Sequence, residues 1–134
     1  MSDAPQRRQF RNIHITDIAG YRLPIAAFVS ILHRISGAFL FLLLPFVLYL
    51  LQQSLYTEAT YSDLMALVSP WYIKLIILAI TWSFLHHFCA GIRHLLMDVH
   101  VGIDKDGSRV SATGVMAVSL VLTALVALKL LGVF

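Results

Sequence analysis

Two short segments hold most of the side chains capable of chemistry. The first is SILHRISG, in which Ser30, His33, Arg34 and Gly37 recur at i, i+3, i+4 and i+7. That spacing places them on one face of a helix. A hydroxyl, an imidazole and a guanidinium on one face suit a polar headgroup or an anion, and Gly37 leaves room for close approach. The second is LHHFCAGIRHLLMD, in which His87, Gly91, His94 and Asp98 fall at 0, +4, +7 and +11, again on one face. At 1.5 Å per residue His87 is about 16 Å along the helix from Asp98, and His94 is about 10 Å nearer that end. A deep imidazole with a glycine one turn away is what an axial haem ligand needs: the nitrogen binds iron, and the glycine lets the flat macrocycle lie against the helix. The propionates would then meet His94, Arg93, Arg34 and His33 nearer the surface. His86 points about 100° away from His87 and is the alternative ligand. Simpler roles compete: Arg34 as a snorkelling cation, Ser30 as a helix cap, His87 as a hydrogen bond between packed helices.

Such residues need elements to hold them, and the composition says in what solvent. The chain has 134 residues, of which 59% are hydrophobic and 13% charged. A water-facing surface needs about twice that share of charge, and disorder is excluded by the same figures. One cysteine, Cys89, rules out an internal disulfide, a CxxCH haem attachment and a self-contained four-cysteine cluster. Three runs carry no charge: Ile35 to Leu55, Leu75 to Ile92 and Val110 to Leu128. About 20 apolar residues cross a bilayer as helix, the one open-ended form that satisfies its own backbone there. The fold expected is all-α and integral to the membrane. Spans lie at about 30–55, 71–98 and 110–133 within a membrane domain 30–134, preceded by a cytoplasmic arm 1–29. Pro45 predicts a kink in the first span. Residues 56–70 read as a polar outer loop, 99–109 as a Gly- and Asp-rich turn, and Phe10 to Tyr21 as a segment along the membrane surface. Small residues Ser111, Ala112, Gly114, Ala117, Ser119 and Ala124 suit the third span to close packing.

Cations orient the spans. Arg7, Arg8, Arg11, Arg22, Arg34, Arg93, Lys105 and Arg109 lie on one side, and Lys74 and Lys129 on the other. The excess predicts a cytoplasmic N-terminus and a periplasmic C-terminus, and Tyr49, Tyr56, Trp71 and Tyr72 form a belt at the outer interface. The absence of a presequence pattern points to a bacterial inner membrane. The basic residues flank spans, which suits lipid or a docked partner and gives no sign of nucleic acid. A bis-histidine haem needs a second imidazole at the depth of His87. His33 reads as too near the surface and the third span has no histidine, so the second ligand is expected from another chain.

The pair SxxHRxSG and HxxxGxRHLxxD, at Ser30–Gly37 and His87–Asp98, resembles the cytochrome b membrane-anchor subunit of succinate dehydrogenase. The resemblance runs from Tyr21, where a Tyr21–Arg22 pair is kept, to about Phe134. It implies a heteromeric helical bundle in which this chain and a second, smaller anchor hold one haem b between them. His87 then matches the axial iron ligand, His33, Arg34 and His94 the propionate surroundings, and Ser30 and Arg34 the ubiquinone site. It also implies iron–sulfur and flavoprotein subunits docked on the cytoplasmic face, and no catalysis by this chain alone. A purely structural anchor for a soluble dehydrogenase is the alternative. A transporter would want a mid-membrane carboxylate or a repeat, and neither is found.

Overall fold

The computed structural model describes Thr16 and residues 20–133. The segment from Phe10 to Tyr21 lies largely outside the described residues, as do His14 and most of the expected arm. From residue 25 on, four helices follow one another among the described residues: α1 Ile25–Tyr56, α2 Glu58–Val68, α3 Trp71–Asp98 and α4 Lys105–Leu130. No strand occurs among the described residues. Three of the helices, α1, α3 and α4, are long and apolar enough to cross a membrane. Their 32, 28 and 26 residues correspond to about 48, 42 and 39 Å, more than the ~30 Å hydrocarbon core. Both ends of each helix therefore extend beyond the uncharged runs.

The stops are local chemistry. Pro24 and Pro70 immediately precede α1 and α3, and the helix is continuous through Pro45. At the end of α3, His100 takes φ 64°, its N–H bonds the Met97 carbonyl, and the Val101 N–H bonds that of Leu96. This closes the helix as a Schellman turn, with a histidine where glycine is usual. Gly132, at φ 74°, closes α4 in the same way. Asp104 opens α4 by accepting from the Gly107 N–H at 2.9 Å.

The expected polar loop at 56–70 is instead largely helix. Thr57 and Thr60 cap each other's backbone reciprocally, Thr60 Oγ1 also donates to the Gln53 carbonyl, and eleven residues of α2 follow. The capping box stabilises a helical first turn that composition alone conceals, because its third position is Thr instead of Glu or Gln.

α1, α3 and α4 pack pairwise, with α3 antiparallel to both of the others, and α2 packs against the C-terminal end of α1. The centre is small: Val29, Ala90, Ala112 and Val115 are buried, with Ala26, Cys89 and Met116 against them. Short side chains bring the backbones close, which is how helices pack when lipid is as apolar as leucine. The outward face carries large side chains such as Phe41 and Leu42, about three-quarters exposed. Of the small residues of α4, Ser111, Ala112 and Ser119 pack inward, while Gly114, Ala117 and Ala124 are exposed. At the far end Lys74 donates to the Leu130 carbonyl at 3.2 Å, tying the start of α3 to the end of α4.

Candidate functional site

The site lies where the first turns of α1 meet the last turns of α3. His33 stacks on His87 with centroids 4.2 Å apart and planes 10° from parallel. The His33 ring also tilts against His94 at 5.0 Å. Three imidazoles from two helices thus form one cluster, with His33 lying across the stripe of His87, Gly91 and His94. Two of the rings, those of His33 and His87, rest over a glycine of the opposite helix. A Cβ on Gly91 would stand 3.7 Å from His33 Nε2, and one on Gly37 would stand 2.7 Å from His87 Cε1.

The placement of His33 corrects the sequence-based depth. Because α1 starts at Ile25 and not near residue 30, His33 is a further turn inside the helix and level with His87. It still does not face His87 across an iron. Two axial imidazoles meet a metal edge-on with a macrocycle between them, whereas these rings lie face to face at contact distance. The space beside Gly91, expected to receive a flat macrocycle, is faced by the His33 ring.

His87 Nδ1 is 3.0 Å from the His33 carbonyl oxygen and 3.3 Å from Ser36 Oγ. A carbonyl only accepts, so Nδ1 carries the hydrogen. Ser36 Oγ donates to the same carbonyl at 3.0 Å. With Nδ1 protonated, Nε2 holds the free lone pair, and it is not among the enclosed polar atoms of the bundle. His87 is half-buried at one end of a groove of about 590 Å³ between α1 and α3, walled by Leu40, Leu44, Val47, Ile80 and Phe84.

His86 has the opposite setting. It is fully buried in the three-helix centre, 5.4 Å from Trp82 between ring centroids. Neither of its nitrogens reaches hydrogen-bonding geometry, although the Val29 backbone is near. A flat cofactor has no access to it there.

Arg93 also turns away from the imidazoles. It is 4% exposed, and its Nε donates to Ser111 Oγ at 3.0 Å and its Nη2 to Ser108 Oγ at 3.0 Å. The guanidinium that the sequence offered to haem propionates is held by α4. Arg34 is exposed and Ser30 half-buried on the outer flank of α1, and no side-chain hydrogen bond joins them to the three imidazoles among the described residues. The helical face drawn from spacing is therefore divided. His33 and Gly37 point into the α1–α3 seam, and Arg34 points out of it. Ser36, in neither spacing pattern, is buried at the seam; its place beside Gly37 was the available signal. Among the described residues no group of three or more His, Cys, Asp or Glu side chains converges to hold a metal ion.

The family described as succinate dehydrogenase/fumarate reductase transmembrane subunit matches residues 11–126. The chain is 36% identical to a protein of Coxiella burnetii over 106 residues, covering 78% of this chain and 85% of that one. It is 31% identical to one of Rickettsia prowazekii, covering 78% and 82%, and 30% identical to one of Paracoccus denitrificans, covering 78% and 81%. All three relatives carry the name succinate dehydrogenase cytochrome b556 subunit.

Proposed function

Because the chain belongs to the succinate dehydrogenase/fumarate reductase transmembrane subunit family and is a multi-pass membrane anchor of that enzyme, we propose that it supplies one axial ligand to a haem b and part of a ubiquinone site. The observation that carries the proposal is the state of His87. Its Nδ1–H is tied to the His33 carbonyl, which leaves the lone pair of Nε2 free at the rim of an apolar groove. Metal-bound imidazoles are held in this way, with the second nitrogen bonded to a carbonyl that fixes the tautomer and raises the basicity of the ligand.

The residues fit such a group. A haem brings its own four equatorial nitrogens, so one imidazole from this chain suffices, and the groove walls match the apolar body of the macrocycle. When bound, the haem supplies one-electron redox chemistry at a potential set by its axial ligands and surroundings. His33 and His94 flank His87 toward the end of α3 where Arg34 also lies, and these three are the residues proposed to face the propionates. A second ligand would come from a second small anchor subunit.

Ser30 and Arg34 are proposed to bind ubiquinone. Reduction places negative charge on a quinone carbonyl oxygen before protons arrive. The Ser30 hydroxyl donates a hydrogen bond to that oxygen and the Arg34 guanidinium supplies a fixed positive field. Arginine keeps its proton at any physiological pH, so it stabilises charge and does not deliver protons. Iron–sulfur and flavoprotein subunits would dock at the basic end of the bundle and bring electrons from succinate. That end faces the cytoplasm, with the C-terminus periplasmic, in a bacterial inner membrane.

A purely structural anchor is the second reading, and one observation favours it: the His87–His33 bond is also a bond between packed helices. The purified complex separates the two readings. The account expects a low-spin b-type haem spectrum, and expects Ser30→Ala and Arg34→Leu to depress quinone reduction more than succinate oxidation by an artificial acceptor. A colourless complex, with both activities falling together in the variants, leaves only the tether.

A further inference from the structure

The turn of α1 from His33 to Gly37 touches His87 at three points that together leave its ring one position. The His33 carbonyl accepts Nδ1–H at 3.0 Å, and Ser36 Oγ stands 3.3 Å from the same nitrogen while donating to that carbonyl. A ring flipped by 180° would put a carbon against the carbonyl and lose both contacts. Gly37 sets the third point, since any Cβ there would stand 2.7 Å from His87 Cε1, the carbon between the two nitrogens. On its face the ring is covered by His33 at 4.2 Å, which limits retreat in that direction. Ser36 is 6% exposed, so water does not readily replace its hydroxyl.

We infer that Ser36 and Gly37 are positioning residues, which fix the tautomer and the plane of the His87 imidazole and so present Nε2 to the ligand in the groove. The inference rests on His87 being the haem ligand. Ser36 acts through the carbonyl it shares with Nδ1, and Gly37 acts by the side chain it lacks. Neither touches the metal. Their effect is on how strongly, and in what orientation, the imidazole donates.

The test uses the complete complex in its membrane with Gly37→Ala, Ser36→Ala and, as a control for losing a helical glycine, Gly114→Ala, whose added Cβ meets nothing within 4 Å. Haem per complex, the electron paramagnetic g values of the oxidised haem and its reduction midpoint are read for each. Gly37→Ala is expected to weaken haem binding about 10-fold or more, the lower range for losing an outer-shell partner. Ser36→Ala, which adds no bulk, is expected to retain haem with altered g values and midpoint, and Gly114→Ala to change neither. Wild-type g values and midpoint in Ser36→Ala, together with equal haem loss in Gly37→Ala and Gly114→Ala, overturn the inference. If Gly37→Ala fails to assemble, Ser36→Ala decides alone through its g values. Failure of the underlying reading looks different: haem then survives His87→Leu. Loss of haem in His87→Leu with unaltered Ser36 and Gly37 variants removes the positioning role only.

Discussion

α3 presents polar side chains on two faces, and the two are built to different ends. Toward α4 it offers Arg93, whose donors end on Ser108 and Ser111 within a seam of Ala90, Ala112 and Val115. Toward α1 it offers His87, Gly91 and His94, where one nitrogen of His87 is bonded to the His33 carbonyl and the ring lines an apolar groove. The first face is closed: a buried cation with hydrogen-bond acceptors, packed against short side chains, holds two helices in register. The second is open: it carries lone pairs and an apolar groove. A polar residue within a membrane helix thus signals function by what it leaves unpaired on an accessible face, more than by its presence.

Substitutions at the closed face should change stability and leave the open face alone. The largest effect is expected from Arg93→Leu, which removes the α3–α4 clamp. Loss of hydrogen bonds from a buried charged group predicts destabilisation of about 3 kcal/mol, read as a lower thermal midpoint of the purified complex. Haem in the complex that remains should keep its spectrum, and an altered spectrum would show that the two faces are coupled. Ser111→Ala removes the acceptor of Arg93 Nε, and about 1–2 kcal/mol is expected by the same measurement. His86→Leu should have the smallest effect, within about 1 kcal/mol in either direction, because it replaces a buried imidazole lacking hydrogen bonds with an apolar side chain of similar size. A large loss of stability there would mean that the His86 ring is held within the bundle by packing that leucine does not reproduce.

The three long helices were legible because uncharged runs of 18 to 21 residues admit no other structure in lipid. Their ends were less so. Arg34 marks the edge of an uncharged run, yet α1 begins nine residues earlier, at Ile25, and that shift is what placed His33 too shallow. α2 was hidden because EATYSDLMALV is mixed in character and its cap is a pair of threonines. Spacing correctly put His87, Gly91 and His94 on one face, and the stripe meets α1. It could not divide Ser30 and Arg34 from His33 and Gly37, because a helical stripe is wide enough to straddle a packing seam. Nor could it tell that the face with Arg93 meets α4. A period of 3.6 groups residues by direction, and only the neighbouring helices decide what lies in that direction. The role of Ser36 depends on a contact between residues 51 apart in sequence, beyond any local pattern.

The central claim is that of two adjacent histidines the one at the open face holds iron. Reduced-minus-oxidised visible spectra of complexes carrying His87→Leu or His86→Leu, each normalised to assembled subunit, test it most directly. The account predicts that His87→Leu removes or strongly diminishes the low-spin haem b band while His86→Leu retains it. Retention in His87→Leu with loss in His86→Leu would contradict it.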